Sequence, residues 1–445
     1  MKMTEIELLL IHANIVTLDN FDSSFTDGSI AIDKGIIVEL GLTEALEGVY
    51  QPRRKVDLKG KYVFPGFINS HTHLFQTMFK GLPKDYSLNK WLKKVIRPYT
   101  PFLDAETCYL AALAGCAEAI RSGTTTILDY MYAHPQPELS DAIVQAFDQI
   151  GIRGYLARGF SDKMFGSNIN KALQESVEKV TADVLRLKAK YGSRIWLAPS
   201  ALWNVSQEAL TAVCDTAKNY NIPVTMHLNE TQLDNKYSNQ YYGQNAIPFL
   251  EEIGLLNENF LAVHCVYMDQ EGTESFRKHN VKISYNPVSN MILGSGVMNL
   301  PLLEGLTVSF GTDGAASNDS QNMLETMKLG AILQKVHYQN PAIIDAKRIV
   351  QMATLDGARA LGLEKETGSL EKGKKADMLI YDALQPQSFT MHNPLATLVY
   401  ASNPGNIDSV IIDGKEVMIN KQFVTIDEER ILHEAQVIAR KLITH

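Results

Sequence analysis

The 445-residue sequence predicts an α/β fold, a (β/α)8 TIM barrel accompanied by a small β domain that both chain ends build. Through the middle of the chain, apolar runs of strand length alternate with longer segments of helical periodicity. At both ends, short strands recur between turn residues, and no long helix is indicated before the first barrel strand. These two textures divide the chain into a composite β domain of residues 1–63 and 365–445 and a barrel of residues 64–364.

The β domain is predicted from strands at both ends of the chain. N-terminal strands are expected at 8–17, 29–33 and 36–40, with Asp33-Lys34-Gly35 as a hairpin turn between the last two. C-terminal strands are expected at 376–382 and 409–412, and Asp413-Gly414-Lys415 repeats the hairpin signal. We therefore expect the two ends to pair into one domain.

The barrel is predicted from eight apolar runs with helices between them. The expected strands are 62–69, 124–130, 153–160, 195–201, 223–228, 261–266, 282–285 and 307–311. The expected helices include 106–121, 174–190, 207–220 and 323–334. Parallel strands joined by right-handed crossovers follow from this order, and eight such units close a barrel. A doubly wound sheet, also buried on both faces, would have the same texture.

Composition limits the partners and the compartment. The net charge is -8 without a long run of Lys and Arg, which argues against nucleic acid or an anionic membrane as the main partner. Four cysteines are scattered without a CxxC pair, which is typical of a reducing compartment. Glu5 and Glu7 stand where a secretory signal needs positive charge, and no apolar run approaches the roughly 18 residues of a membrane span. We expect a cytoplasmic protein with a small-molecule partner.

His71 and His73 stand at the end of the first predicted barrel strand. Residues two apart in a strand point the same way, so both imidazoles can face one metal ion at the barrel mouth. An isolated His-x-His pair could equally be two polar loop residues. Here His227 ends the fifth strand, His264 ends the sixth and Asp313 follows the eighth, and such strand ends converge on one face of a barrel. The five residues together predict a metal site.

Glu230 follows His227 by three residues and can reach the same mouth, although it could instead be a carboxylate at a helix start. A divalent ion lowers the pKa of bound water to about 7. Asp313 could accept the proton released as hydroxide attacks a ring carbon, Glu230 could donate to the ring nitrogen, and His264 could stabilise the tetrahedral intermediate. This chemistry suits displacement of an amine or a halide from an electron-poor heterocycle.

Three residues are candidates for substrate binding. Trp91 follows the first barrel strand and could cap the substrate or pack its own loop on the barrel. Trp203 could stack on a flat ring or belong to the core. Arg158, at the end of the third strand, could bind an anionic or carbonyl group or form a structural ion pair.

Five motifs lie at the ends of the predicted strands. They are Pro-Gly-Phe-Ile-Asn-Ser-His-Thr-His (65–73), His-Leu-Asn-Glu-Thr (227–231), Ala-Val-His-Cys-Val (262–266), Asn-Pro-Val-Ser-Asn (286–290) and Gly-Thr-Asp-Gly-Ala-Ala-Ser-Asn-Asp (311–319). Together they resemble the amidohydrolase superfamily, and specifically its branch of S-adenosylhomocysteine and methylthioadenosine deaminases and s-triazine hydrolases. The resemblance spans nearly the whole chain.

The resemblance implies roles for the site residues. The implied metal ligands are His71, His73, His227 and Asp313, while His264 would orient the hydroxide and Glu230 would move protons. Relatives with two metals carry a carboxylated lysine at the fourth strand, and residues 195–203 contain no lysine, so one divalent ion is expected. Zinc is the first expectation, with iron and manganese as alternatives. The resemblance also implies a β-sandwich built from both chain ends, and we expect a homo-oligomer, either a dimer or a tetramer.

The binding half of the pocket departs from the adenosine-type deaminases of this branch. Their Pro-His-Ser-Pro-Tyr stretch is Pro-Ser-Ala-Leu-Trp (199–203) here, and a glutamate that holds ribose hydroxyls corresponds to Thr100. We therefore expect a metal-dependent aminohydrolase acting on a small nitrogen heterocycle that lacks ribose. The alternatives are an adenosine-type nucleoside deaminase, a triazine-type chlorohydrolase and, outside enzymes, an inactive barrel scaffold. The scaffold would be favoured by loss of a ligand, and none is lost.

Overall fold

The computed structural model describes residues 3–163 and 173–444. Its strands are β1 (Thr4–Val16), β2 (Ser24–Asp33), β3 (Ile36–Leu42), β4 (Tyr50–Asp57), β5 (Tyr62–Pro65), β6 (Phe67–Thr72), β7 (Thr124–Met131), β8 (Arg153–Phe160), β9 (Ile195–Pro199), β10 (Val224–Leu228), β11 (Phe260–His264), β12 (Lys282–Tyr285), β13 (Val308–Phe310), β14 (Met378–Tyr381), β15 (Ile407–Ile412), β16 (Lys415–Ile419) and β17 (Gln422–Phe423). Its α-helices are α1 (Thr43–Glu47), α2 (Leu88–Trp91), α3 (Ala105–Arg121), α4 (Leu139–Ile150), α5 (Val177–Tyr191), α6 (Gln207–Tyr220), α7 (Gln232–Tyr242), α8 (Ala246–Glu252), α9 (Gln270–His279), α10 (Pro287–Ile292), α11 (Met323–His337), α12 (Ala346–Ala353), α13 (Leu355–Leu361), α14 (Pro394–Tyr400) and α15 (Glu428–Leu442).

The central sheet is the predicted barrel. Within the described residues it has eight strands, paired in parallel in the unbroken order β6 to β13. The last strand meets the first, because Ser70 Oγ–H donates to the Phe310 carbonyl at 2.9 Å and the Asp313 N–H donates to the His71 carbonyl at 3.0 Å. The helices that connect the strands cover the outside of the sheet, as in the closed (β/α)8 architecture. The predicted fold class is confirmed.

A second sheet joins the two ends of the chain. In the part of the chain that the structure describes, its order is β17-β16-β15-β14-β5-β1-β2-β3, with β4 paired to β1. The C-terminal strand β14 lies antiparallel between β5 and β15, so the C-terminal segment is inserted beside N-terminal strands. A core of apolar side chains from both ends, including Leu10, Ile30 and Met378, is buried against it. This is the β-sandwich domain that the resemblance implies.

The apolar run at 62–69, predicted as one barrel strand, is two strands in different sheets. Residues Tyr62–Pro65 form β5 of the β domain, and the barrel begins at Phe67. The chain changes sheets at Gly66, where an added Cβ would lie 2.2 Å from the Thr125 side chain. Hydropathy has no break here because both strands are buried, so the boundary drawn between residues 63 and 64 falls inside β5. The outer limits at residues 1 and 445 lie outside the described residues.

No helix within residues 3–163 and 173–444 is long and apolar enough to span a bilayer.

The predicted helices 106–121, 174–190, 207–220 and 323–334 correspond to α3, α5, α6 and α11. All four begin at a side-chain cap, such as Asp104 before α3 and Ser206 before α6, each of which accepts a backbone N–H of the first turn. The barrel helices are therefore delimited by local sequence signals.

A buried ion pair joins the barrel to the β domain. Arg153, at the start of β8, pairs with Asp377, which directly precedes β14, and with Asp413, which directly follows the antiparallel neighbour β15. The Asp377 side chain is fully buried and also accepts the Asp413 N–H and the Thr367 hydroxyl, each at 2.8 Å. Arg153 is therefore the cation that balances a carboxylate held between the two domains.

We expect Arg153→Gln to lower the free energy of unfolding by about 3–5 kcal/mol, because Asp377 would remain buried without its cation. Denaturant unfolding followed by circular dichroism measures the loss. Arg54→Gln is the matched control, since the Arg54 side chain is half exposed in its pair with Glu416 and such pairs contribute under about 1 kcal/mol. Equal losses in the two variants would contradict the role of the buried pair.

Candidate active site

The five residues predicted from strand ends lie together at the mouth of the barrel. His71, His227 and His264 are on β6, β10 and β11, while His73 and Asp313 follow β6 and β13. His73 Nε2 lies 3.3 Å from Asp313 Oδ1 and 3.3 Å from His227 Nε2, and His71 Nε2 lies 3.5 Å from the same carboxylate oxygen. The His264 ring stacks on the His227 ring with centroids 5.5 Å apart. The structure thus brings all five into one cluster.

The cluster has the donor set of a divalent metal site. His71 is fully buried, yet neither of its ring nitrogens has a hydrogen-bond partner among the described residues. A buried polar atom left without a partner costs about 1–3 kcal/mol, so a bound cation would remove a penalty that the protein otherwise carries. Two groups of potential ligands meet at His71: one with His227 and His264, the other with His73 and Asp313. Imidazole and carboxylate ligands suit zinc, iron and manganese, so these residues fit one divalent ion.

Hydrogen bonds at Nδ1 prepare two of the histidines as ligands. The Nδ1–H of His73 donates to the Tyr130 carbonyl at 2.6 Å, and that of His227 donates to the Ser200 carbonyl at 2.7 Å. A carbonyl oxygen can only accept, so the proton of each neutral imidazole is on Nδ1 and Nε2 keeps its lone pair. Both rings therefore present a free lone pair on the nitrogen that faces the cluster.

His264 has the opposite arrangement. Its Nδ1 accepts from Asn290 Nδ2 at 3.0 Å, with Asn286 Nδ2 at 3.4 Å. The proton of a neutral imidazole then belongs on Nε2, which lies 3.6 Å from Glu230 Oε2. Burial lowers the pKa of His264 to about 4, so the ring is neutral near pH 7. His264 thus faces the site as a hydrogen-bond donor, in contrast to its two neighbours.

Glu230 is buried beside His264 in surroundings that favour its protonated form. Burial raises the pKa of its carboxyl group well above the usual range, and the charge of Asp313 acts in the same direction. The Ser295 hydroxyl donates to Glu230 Oε1 at 3.1 Å and opposes this shift only in part. Glu230 is therefore suited to donate a proton near neutral pH.

Asp313 has the reverse preference. Burial acts to raise the pKa of its carboxyl group, but the neighbouring imidazoles, of which His71 Nε2 lies 3.5 Å from Oδ1, outweigh burial and hold the pKa well below its usual range. Ser289 Oγ–H donates to Oδ2 at 2.5 Å and the Gly314 N–H donates to Oδ1 at 2.7 Å. The pKa values of the two buried carboxyl groups are therefore shifted in opposite directions, that of Glu230 upward and that of Asp313 downward, which is the arrangement of an acid and base pair.

Left-handed backbone conformations are concentrated at the same strand ends. Asn229, His264 and Asp313 have φ values of 49°, 76° and 59°. Side-chain-bearing residues adopt this region at a cost, and such residues are common where a site dictates the direction of a side chain. The strain therefore coincides with the residues that form the cluster.

A cavity of about 910 Å³, counted with its opening to solvent, leads to the cluster. Both candidate tryptophans line it, Trp91 as a buried side chain and Trp203 as a partly exposed one. Leu88, Leu92 and Leu293 add apolar surface to the wall. The cavity has the size and the lining of a small-molecule site.

Arg158 does not lie on the cavity wall. Its guanidinium is buried and bonded to Glu175 and Asp183, with Nη2 at 2.8 Å from Glu175 Oε1 and Nε at 2.8 Å from Asp183 Oδ2. Its charge is balanced by these two carboxylates, and four of its five N–H groups donate to Glu175, Asp183 and the Gly159 carbonyl. The structural ion pair, which the sequence left open, is the arrangement found, and we remove Arg158 from the substrate contacts.

Sequence reasoning missed two polar residues of the wall, Gln76 and Tyr132. The Tyr132 ring contacts His73 with centroids 4.9 Å apart, and Gln76 Nε2–H donates to its hydroxyl at 3.0 Å. Gln76 packs so tightly on the Asp313 loop that a Cβ on Gly314 would lie 1.9 Å from its Oε1. Tyr132 follows β7, so the strand-end rule that found the histidines could have found it too. Gln76 lies beyond the His-x-His motif and has no such signal.

Comparisons with known proteins agree with this geometry. A family model described as "Amidohydrolase family" matches residues 62–417. The chain is 35% identical over 443 residues to the 5-methylthioadenosine/S-adenosylhomocysteine deaminase 1 of Syntrophus aciditrophicus (strain SB), covering 99% of this chain and 98% of the relative. It superposes with a TM-score of 0.92 on an adenosine deaminase from Xanthomonas campestris with bound zinc, at 26% identity and 100% coverage of both chains. It superposes with a TM-score of 0.90 on the atrazine chlorohydrolase from Arthrobacter aurescens TC1 complexed with zinc, at 25% identity, covering 97% of this chain and 100% of that chain.

Proposed function

This chain belongs to the amidohydrolase family, and from that premise we propose that it removes ammonia or an amine from a ring carbon of a small nitrogen heterocycle by hydrolysis. It is a metal-dependent hydrolase of the deaminase class, acting on carbon–nitrogen bonds in cyclic amidines. The observation that carries the proposal is the pair of buried carboxyl groups at the histidine cluster, Glu230 beside His264 and Asp313 beside His71 and His73, whose pKa values are shifted in opposite directions. Hydrolysis at a ring carbon needs both a proton donor and a proton acceptor.

We propose His71, His73, His227 and Asp313 as the ligands of one divalent ion. The unpaired nitrogens of His71 and the Nε2 lone pairs of His73 and His227 support this set. A bound divalent ion supplies a water of lowered pKa and a positive charge for the transition state. Zinc is our proposal for the ion, because both solved structures described above contain it.

The other groups act on the substrate and on protons. Asp313 accepts the proton that the attacking water loses, since its carboxyl group is ionised. Glu230 donates a proton to the ring nitrogen, and His264 Nε2–H donates a hydrogen bond to the oxygen added to the ring carbon. Asn290 is a positioning residue that keeps the His264 proton on the side of the site.

The substrate we propose is a flat heterocycle without ribose. Trp91 and Trp203 offer aromatic surface for a ring, and Thr100 stands on the wall where the resemblance implies a ribose-binding glutamate. The second candidate is an adenosine-type nucleoside, favoured by the relative named as a methylthioadenosine and S-adenosylhomocysteine deaminase. Displacement of chloride from a triazine remains the third, because the atrazine chlorohydrolase has the same fold.

We also propose a cytoplasmic location and assembly as a homodimer or homotetramer. The four cysteines are free thiols, three of them buried, which supports a reducing compartment. Size-exclusion chromatography with light scattering tests the assembly.

A substrate panel tests the reaction. The metal-loaded protein is incubated with guanine, pterin, cytosine, adenosine, methylthioadenosine and triazines, and ammonia, amine and halide are measured. Ammonia from guanine, pterin or cytosine but not from adenosine or methylthioadenosine supports our first candidate, and ammonia from the nucleosides supports the second. Release of halide alone would identify a dehalogenating hydrolase. If no compound of the panel gave a product with zinc, iron or manganese supplied, the proposed hydrolytic activity would be refuted.

Removal of the metal is expected to abolish turnover and to lower Tm. A ligand that binds only the folded state stabilises it by about 2.7 kcal/mol at one hundred times its Kd, so the chelated protein should melt at a lower temperature. Differential scanning fluorimetry after dialysis against a chelator measures this, and resupply of zinc should restore both activity and Tm. Turnover by protein shown to be metal-free by elemental analysis would contradict the proposed role of the ion.

A further inference from the structure

One wall of the cavity contains hydrogen-bond donors that have no partner among the described residues. The wall belongs to segment 88–100, and its polar side chains are Trp91, Arg97 and Thr100. Trp91 and Thr100 are buried, and neither Trp91 Nε1 nor Thr100 Oγ1 has a hydrogen-bond partner within the described residues. Arg97 is half-buried, and no carboxylate of the described residues pairs with it. We call these three residues the donor wall.

The chemistry of the donor wall is one-sided. An indole N–H and a guanidinium can only donate hydrogen bonds, and a threonine hydroxyl can do so. Unpaired buried donors are costly, and a desolvated cation without a counter-ion is more costly still. Burial lowers the pKa of Arg97, which reflects the same loss of solvation. A negatively charged hydrogen-bond acceptor would pair with both unpaired donors and balance the charge of Arg97.

The donor wall lies close to the reacting centre. The charge of Arg97 acts on the Tyr132 phenol, and Tyr132 also responds to the charge of Asp313. The Tyr132 ring in turn contacts the His73 ring. Arg97, Tyr132, His73 and Asp313 line the same cavity, so a group on a small heterocycle bound at the cluster can reach the donor wall.

The backbone before Arg97 has an uncommon form. Residues Leu92–Ile96 make a π-helical turn, closed by the Arg97 N–H donating to the Leu92 carbonyl at 2.9 Å. π-Helical turns are rare in proteins overall. Those that occur are often found at functional sites, where they redirect the side chains that follow. The turn brings Trp91, Arg97 and Thr100 to one wall, whereas Lys94 on the same segment stays exposed.

We propose that the substrate carries a carboxylate, bound by the Arg97 guanidinium with Trp91 and Thr100 as further donors. A planar guanidinium matches a carboxylate in shape and in charge. A phosphate, with nearly two charges at neutral pH, would need a second cation, and no lysine of the described residues lines the cavity. The inference rests on the proposed function and narrows the proposed substrates to heterocyclic carboxylates.

The test uses pterin-6-carboxylate, pterin-6-carboxamide and pterin, and 5-carboxycytosine with cytosine, on the zinc-loaded protein. Isothermal titration measures binding, and ammonia release is recorded separately. We expect each acid to bind at least tenfold more tightly than its neutral counterparts. Arg97→Gln should remove that advantage and change binding of the neutral compounds less than twofold, while Arg97→Lys should keep part of it. Lys94→Gln is the matched control, expected to behave as the wild type.

The outcomes separate the two proposals. Preference for the acids that depends on Arg97, without ammonia from any compound, would support the carboxylate site and count against the proposed reaction. Ammonia from neutral heterocycles with no preference for the acids would overturn the carboxylate site alone. Equal weakening of acid and carboxamide in Arg97→Gln, at an unchanged Tm, would overturn it too, because Arg97 would then bind a neutral carbonyl. Failure of every acid to bind the wild type would have the same consequence.

Discussion

Replacing Asp313 by asparagine is expected to lower kcat/KM by about 10⁴-fold, the upper end of the range for loss of a general base. Asparagine has nearly the same shape, and its amide oxygen can still accept from Ser289 or from the Gly314 N–H. It cannot take up a proton or supply the negative charge that faces His71 and His73. Product release by the best substrate of the panel measures the loss, and elemental analysis measures the metal.

Asp319→Asn is the matched control for this variant. Asp319 lies in the same loop but is exposed, and it pairs with Lys84 at 2.6 Å, away from the cavity wall. We expect its activity to stay within about twofold of the wild type, since exposed pairs contribute little. Full activity in Asp313→Asn, with a normal metal content, would refute both roles that we propose for Asp313.

Glu230→Gln is expected to lower kcat by about 10³-fold, within the range for loss of a general acid. Burial raises the pKa of Glu230 and so favours its neutral form, which glutamine reproduces together with the acceptor for Ser295, but glutamine cannot release a proton. KM, Tm and metal content should therefore remain close to those of the wild type. Steady-state kinetics and elemental analysis on the same preparation test the expectation.

The control is Glu252→Gln, an exchange of the same chemistry at an exposed position of α8, where Glu252 accepts from Gln244. It should have no effect on kcat. If the Glu230→Gln protein lost its metal, Glu230 would have to be a metal ligand, which contradicts the ligand set that we propose. A fall of less than tenfold would show that another group protonates the ring.

Much of the site could be predicted because its signals are local. The apolar strand runs place His71, His73, His227, His264 and Asp313 at carboxyl ends, and a parallel barrel brings such ends to one face whatever the details of packing. The division of the 62–69 run between two sheets had no local signal, since both strands are buried and the hydropathy is continuous. Gly66 marks the change only through its close approach to Thr125.

The roles within the cluster depend on partners distant in sequence. His264 differs from His227 because Asn290, 26 residues away, donates to its Nδ1, whereas His227 donates to the Ser200 carbonyl. Arg158 is removed from the pocket by Glu175, 17 residues further on. Neither pairing has a spacing that a helix or a strand would impose, so the sequence left both arrangements open.

By itself, then, the sequence determined the barrel, the composite β domain, the residues of the cluster and the expectation of a metal-dependent hydrolase. All of these follow from the period of apolar residues and from motifs read along the chain. Only the tertiary structure decided the opposite pKa shifts of the two carboxyl groups, which imidazole donates, and that Arg97 rather than Arg158 lines the cavity without a counter-charge among the described residues. The physical reason is that solvation and hydrogen-bond pairing depend on what surrounds a side chain in space, and for these residues the surroundings come from several strands and loops at once.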